Sequence, residues 1–179
     1  MVYILLAPGF EEAEALVPAD LLRRANIETA LVSLSGETVT GSHGIAVTAD
    51  MTLKGVDLSQ ADMVVLPGGG TGVQNLGADP AVEKLVREAA RRNIRLAAIC
   101  AAPTLLGRWG LLEGKQAVCY PGMEESLTGS QVQMARGVVA DGTVITGRAA
   151  GSAFDFGLAL VTALAGRDEA DRVGGGIYY

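Results

Sequence analysis

A chain of 179 residues, 49% of them hydrophobic, can bury one α/β core but not two comfortable ones, and such a content excludes an intrinsically disordered protein. A net charge of −6, with no basic cluster beyond the pairs Arg23-Arg24 and Arg91-Arg92, excludes the electrostatic footprint of direct nucleic-acid or anionic-membrane binding. Two cysteines exclude a disulfide scaffold and point to a reducing, cytoplasmic setting, while the longest uncharged run, Met63 to Ala78, is broken by proline and five glycines and is no membrane span.

Val2 to Ala7 reads as an apolar strand ended by Pro8-Gly9, and because it starts at once, no signal peptide is expected. A helix follows over Glu11 to Ala25, with Ala13, Val17, Leu21 and Ala25 on its apolar face. Glu11, Glu12 and Glu14 crowd its first turn, where acidic groups ordinarily complement the helix dipole in solvent. Pro18 removes the N–H that the Glu14 carbonyl would accept, which predicts a kink holding one carboxylate off the regular face.

Glu28 to Leu34 is the second expected strand, followed by a turn at Ser35-Gly36-Glu37. Val39-Thr40 and Ile45 to Thr48 flank Gly41-Ser42-His43-Gly44, which carries the only histidine and reads first as a surface turn. Asp62 to Leu66 is a buried strand running into Pro67-Gly68-Gly69-Gly70-Thr71-Gly72. That loop is neither a dinucleotide fingerprint nor a Walker loop, but its N–H groups suit a phosphate or an oxyanion.

Pro80 to Asn93 is an amphipathic helix with Val82, Leu85, Val86 and Ala89 inward. Leu96 to Ile99 is a strand, and Pro103 starts a helix reaching about Trp109 and closed by Gly110. Cys100 lies between them, at the sharp strand-to-helix turn of a nucleophile elbow, with small residues Ala101 and Ala102 beside it. A helix N-terminus there favours a thiolate; a buried structural cysteine is the plain alternative. Further strands are expected over Gln116 to Tyr120, Val132 to Ala135 and Thr143 to Thr146, the last two around a turn at Ala140-Asp141-Gly142. A helix over Ser152 to Leu164, capped by Ser152, then precedes a tail from Gly174 that frays or packs only through its last aromatics. No repeat or linker divides residues 1–179, so a single domain is expected.

Alternating strands and helices imply a mostly parallel sheet covered on both faces, with ligands gathering at the C-terminal ends of the strands. Glu11 to Glu14, Gly68 to Gly72 and Cys100 all fall at that edge. Cys119, with no helix after it, reads as structural.

Gly9-Phe10-Glu11-Glu12-Ala13-Glu14, Leu66-Pro67-Gly68-Gly69, Gln74-Asn75-Leu76, Ala97 to Thr104 and Gly151 to Phe156 together resemble the ThiJ/PfpI superfamily, in the deglycase branch of the Parkinson-disease protein and YajL. The resemblance spans the whole chain. It implies a flavodoxin-like, class I glutamine amidotransferase-like three-layer sandwich, a homodimer, and a redox-sensitive Cys100 beside a protonated Glu14. Gly69 and Ala101 take the oxyanion positions, with Gly68 beside them. No metal and no cofactor are implied.

The implied activity is a cofactor-free glyoxalase or deglycase acting on methylglyoxal, glyoxal, or their early adducts on proteins and nucleotides. A redox sensor or redox-regulated chaperone working through oxidised Cys100 is the alternative. Tyr120 stands where the disease-associated relative has a histidine, and His43 where it has an arginine reaching across the dimer. The resemblance thus places His43 at the neighbouring subunit's site. Ala101 stands where the protease-like branch has histidine, which argues against a Cys-His dyad within one subunit.

Overall fold

The computed structural model describes residues 1–34 and 36–179, so Ser35 of the expected turn lies outside the described residues. In chain order the elements are β1 (Val2–Leu6), α1 (Glu12–Arg24), β2 (Thr29–Ser33), β3 (Thr38–Thr40), β4 (Ala46–Thr48), β5 (Met51–Thr52), β6 (Met63–Leu66) and α2 (Gly70–Ala78). They continue with α3 (Pro80–Arg91), β7 (Arg95–Ile99), α4 (Pro103–Arg108), β8 (Gln116–Ala117), β9 (Gln131–Val132), β10 (Val138–Asp141), β11 (Val144–Gly147), α5 (Ala153–Ala165) and α6 (Arg167–Gly176).

Seven strands form the central sheet in the order β10-β11-β7-β6-β1-β2-β5. Every neighbouring pair is parallel except β10 with β11 at one edge. The five inner strands, β2-β1-β6-β7-β11, follow the flavodoxin-like order in which the chain reverses direction across the sheet beside β1. β1 and β6 are buried at every position, which is why they read as unbroken apolar runs. Alternate side chains feed two cores. Tyr3 and Leu5 join Val73, Val86 and Leu105 of α2, α3 and α4, and Trp109 just past α4, on one face. Ile4 and Leu6 join Leu22, Phe156, Leu160 and Val173 of α1, α5 and α6 on the other. The result is the expected three-layer sandwich.

α1 runs through Pro18 without a break; Leu21 and Ala25 of the expected face are buried, and Ala15, Pro18, Ala19 and Leu22 are buried beside them. Ala13 and Val17 are only half-buried. α5 packs closely on this face at Gly157, where a Cβ would lie 2.6 Å from Leu21 Cδ1 and 3.1 Å from the Pro18 Cα.

Several expectations are corrected. Gly70 to Gly72 belong to the first turns of α2, leaving only Pro67 to Gly69 as loop. The stretch read as a turn at Ala140-Asp141 is the end of β10, which pairs antiparallel with β11. The expected strand at Gln116 to Tyr120 stops at Ala117, because the Val118 N–H turns to Thr146 Oγ1 at 3.0 Å. Its parallel partner β9 ends at Val132, short of the expected Val132 to Ala135. Ser152 precedes α5 but makes no side-chain cap. The tail is not frayed from Gly174: α6 continues to Gly176, held by buried Ala170 and Val173, and the Tyr179 ring stacks on Phe154 with centroids 5.6 Å apart.

Candidate active site

Cys100 follows the last residue of β7 and has φ +65°, a left-handed backbone conformation that a residue with a Cβ rarely adopts. Such a conformation costs about 1–3 kcal/mol and persists only where the surroundings impose it. Here the Cys100 N–H donates to the Gly147 carbonyl at 2.9 Å, and its carbonyl accepts from the Tyr120 N–H at 2.7 Å. The turn lifts the sulfur out of the strand, leaving Cys100 partly exposed, while Cys119 is fully buried.

Glu14 comes from the first turn of α1, yet it is wholly buried. Its Oε2 accepts the Gly68 N–H at 2.9 Å, and its Oε1 has no hydrogen-bond partner among the described residues. Gly68 lies between it and the sulfur: a Cβ there would be 3.1 Å from Cys100 Sγ and in collision with Glu14 Oε2. Gly69, at φ +88°, is packed against the Gly9 to Glu11 backbone with a Cβ position 2.7 Å from the Glu11 N. Neither glycine position has room for a side chain. The Gly69 and Ala101 N–H groups act on the Cys100 sulfur. Cys100, Glu14, Gly68, Gly69 and Ala101 thus converge.

Burial pushes the Glu14 carboxyl up to about 7, against the opposing pull of Cys100 and the Gly68 N–H and with help from the charge of Glu11. Burial likewise pushes the Cys100 thiol up, to about 12, with the Glu14 charge and hydrogen bond adding to it and the two N–H groups opposing. Activation therefore does not come from a helix N-terminus alone. α4 has only six residues and begins at Pro103. Burial is the larger obstacle to a thiolate; the charge of Glu14 is the part of it that vanishes when the carboxyl holds the proton. A protonated Glu14 carboxyl can then donate its hydrogen bond to the sulfur.

His43 sits on its own chain's acidic residues. Its Nδ1 is 2.9 Å from Glu12 Oε2 and 3.6 Å from Glu11 Oε2, and its ring is two-thirds exposed. The hydrogen bond to Glu12 raises its pKa, with the Glu11 and Glu12 charges adding. Glu12 is nearly buried and was not separable by sequence from its neighbours, since three glutamates at a helix start look alike. Burial would raise its carboxyl, but the His43 ring, the His43 N–H at 2.8 Å and the Ile45 N–H outweigh this and hold it at about 2. Gly41 makes room for that carboxylate, so Glu12 clips the β3–β4 turn to the head of α1. Ser42 Oγ also lies 3.1 Å from Glu11 and 3.2 Å from Glu12. Hydrogen bonds account for the close spacing of this Glu11, Glu12 and His43 cluster.

Tyr120 contributes its N–H to the elbow and leaves its ring half exposed. No helix among the described residues is long and apolar enough to cross a membrane.

Comparison with known proteins agrees with the fold. The DJ-1/PfpI family description covers residues 1–163. Protein dj-1beta of Drosophila melanogaster is 38% identical over 97% of this chain and 94% of its own length. The glutathione-independent glyoxalase DJR-1.2 of Caenorhabditis elegans is 30% identical over 95% of this chain and 91% of its own. Among solved structures, a DJ-1 superfamily protein of Salmonella typhimurium superposes with a TM-score of 0.93 at 37% identity, covering 99% of this chain and 97% of the other. Because the match to that family runs through the strands, the elbow and the glutamate-bearing helix alike, the chain belongs to the DJ-1/PfpI family.

Proposed function

We propose that this protein is a cysteine-dependent, cofactor-free glyoxalase or deglycase that converts methylglyoxal, glyoxal or their early adducts to hydroxy acids. The observation that carries the reading is the buried Glu14 with one oxygen unpartnered beside Cys100. A carboxyl titrating near neutrality is suited to give up and take back a proton. A C. elegans relative bears the name of a glutathione-independent glyoxalase, which supports the same class of chemistry.

For methylglyoxal, the Cys100 sulfur attacks the aldehyde carbon and the former carbonyl oxygen takes a proton, giving a hemithioacetal. The Gly69 and Ala101 N–H groups steady the negative oxygen as it forms. Glu14, now a carboxylate, removes the hydrogen from that carbon as a proton and returns it to the neighbouring carbon through an enediol. The hydroxyl proton of the first carbon passes to the neighbouring oxygen, so that the first carbon becomes a thioester and the ketone an alcohol. Water then cleaves the thioester, releasing lactate and the free thiol. The sum is methylglyoxal plus water to lactate, with no external oxidant or reductant. An adduct on an amine or thiol enters the same sequence when the Cys100 sulfur displaces that amine or thiol from the former aldehyde carbon, the leaving group taking the proton that Glu14 holds. The active unit is a homodimer, supported by the half-buried Leu16 and Val17 of α1 and the exposed Ile45 nearby in sequence to the clipped turn.

Lactate formation from methylglyoxal by wild type and Cys100→Ser tests the reading. Turnover by the wild type that Cys100→Ser abolishes supports it; no turnover by the wild type defeats it. In that event the second reading takes over: a redox sensor or redox-regulated chaperone in which oxidised Cys100 accepts hydrogen bonds from Glu14 and the same N–H groups. The unpartnered Glu14 Oε1 suits a sulfinate oxygen as well as a thiolate.

A further inference from the structure

We infer that Glu12 is a positioning residue for the Cys100 site: it fastens the β3–β4 turn onto the loop between β1 and α1, and that loop holds the Gly68-Gly69 peptide against Glu14 and Cys100. The relay is a matter of geometry; its consequence for turnover rests on the function proposed above.

The β3–β4 hairpin is a separate two-stranded sheet, and Val39 is the only buried residue of its two strands. A two-stranded hairpin with so little apolar cover is marginal by itself and stays in place only where it is tied down. Glu12 is such a tie. Its Oε1 accepts the His43 N–H at 2.8 Å and the Ile45 N–H at 3.4 Å, and its Oε2 meets Ser42 Oγ at 3.2 Å and His43 Nδ1 at 2.9 Å. The carboxylate fills the place that a side chain on Gly41 would take, and Glu12 is 6% exposed. It faces the turn and reaches the site through other residues.

The β1–α1 loop is engaged on both sides. Toward the hairpin, the Gly9 N–H donates to the Thr40 carbonyl and the Ser42 N–H to the Phe10 carbonyl, each at 2.8 Å. Toward the site, the Glu11 N–H donates to the Gly68 carbonyl and the Gly72 N–H to the Gly9 carbonyl, each at 3.0 Å. Backbone lies directly on backbone: a Cβ on Gly69 would be 2.8 Å from the Phe10 carbonyl carbon, and one on Gly72 would be 2.7 Å from the Phe10 Cα. Gly68 is thus held at its carbonyl while its N–H reaches Glu14 Oε2 at 2.9 Å. The Gly68 carbonyl and the Gly69 N–H belong to one planar peptide, so fixing the first aims the second, which acts on the Cys100 sulfur. Without the Glu12 carboxylate the donors of the turn go to water, the hairpin loosens, and Gly9 and Phe10 lose the outer half of their support.

Amide hydrogen exchange, resolved by residue on the full-length protein, tests the relay. The Glu11, Gly68 and Gly72 amides read it, because each donates a hydrogen bond within it or at its end. The Leu96 to Ile99 amides of β7 are the reference for global stability. In Glu12→Ala the three relay amides should exchange about tenfold faster, the protection owed to roughly one hydrogen bond, with β7 unchanged. Glu12→Gln keeps the volume and one acceptor oxygen and should fall between. The pH midpoint of Cys100 alkylation by iodoacetamide should rise in the same order, by about one unit in Glu12→Ala, since an N–H turned from the sulfur no longer favours the thiolate.

Exchange that quickens only within residues 38–48, or equally in β7, makes Glu12 a stabilising residue alone and overturns the inference. An unmoved alkylation midpoint overturns it as well. If Glu12→Ala fails to fold, Glu12→Gln decides: relay amides that exchange as in the wild type overturn the inference. Neither measurement requires turnover, so a protein that makes no lactate still reports the relay. Where lactate forms, Glu12→Gln should lower kcat with KM near the wild-type value, and an undiminished kcat overturns the consequence for turnover.

Discussion

Glu14 and Cys100 meet across a single glycine. A Cβ on Gly68 would lie 2.6 Å from Cys100 Cβ and 3.1 Å from its sulfur while colliding with the Glu14 carboxylate. The helix after β1 and the elbow after β7 can share a proton only because nothing stands between them.

Gly68→Ala should therefore separate the pair without unfolding the sheet. A displacement of about 1 Å between reacting groups costs on the order of 100-fold in rate. Methylglyoxal turnover by Gly68→Ala is expected to fall at least that far while the circular dichroism spectrum is kept. Near wild-type turnover would show that the Glu14–Cys100 contact is not used.

Cys100 should be alkylated well before Cys119, by peptide mapping after limiting iodoacetamide. Burial pushes the Cys119 thiol up to about 11, with the Glu124 charge adding to it, and Cys119 has no exposed surface. Cys100 has the higher value while Glu14 is charged, but it is exposed in part, and the share of that rise owed to the Glu14 charge is removed when Glu14 holds the proton. Preferential labelling of Cys119 would reverse the assignment.

Glu14→Gln should lose most turnover, about 10²- to 10⁴-fold for a general acid–base group, because an amide cannot accept and return the proton. It should also change the pH dependence of stability. Below about pH 4.5 Glu14 is protonated in both folded and unfolded chains. Between there and its folded value of about 7 only the unfolded chain releases the proton, so wild-type stability falls as pH rises, by about 3 kcal/mol in all. Melting temperatures should show Glu14→Gln gaining on the wild type between pH 5 and pH 8. A constant difference across that range would mean that Glu14 is not raised.

His43→Ala should loosen the β3–β4 turn in a pH-dependent way. The raised His43 pKa means that its contribution is complete below about pH 6.5 and is lost as pH rises through the folded value. The lowered Glu12 pKa works the other way: its contribution is present above about pH 4.5 and disappears as pH falls toward 2. The cost of His43→Ala in thermal melts should accordingly be larger at pH 5.5 than at pH 9. An equal cost at both would assign His43 a packing role only.

Light scattering should give twice the chain mass of 18.4 kDa at all working concentrations. In that dimer the pH profile of Cys100 alkylation should contain an inflection that His43→Ala removes, if the turn acts on the neighbouring thiol as the family resemblance implies. A concentration-independent mass of one chain removes the basis for that expectation.

The layered fold was legible because β1, β6 and β7 are buried strands whose apolar runs have no helical period, and because Pro103 and Pro80 mark helix starts in sequence. Cys100 was legible for the same reason: a nucleophile at a strand-to-helix turn is a local pattern. Local pattern failed where packing outranked propensity. The glycines of α2 and of α6 are poor helix formers, and both helices exist because Val73, Leu76, Ala170 and Val173 are buried against the sheet layers. It also failed among Glu11, Glu12 and Glu14, alike in sequence and different in state. Glu14 faces the apolar interior and is pushed toward neutrality; Glu12 meets four hydrogen-bonding groups of the β3–β4 turn and stays charged; Glu11 keeps contact with water. A carboxylate's charge is decided by which donors surround it, and those donors come from segments distant in the chain, so only the tertiary structure could tell the three apart.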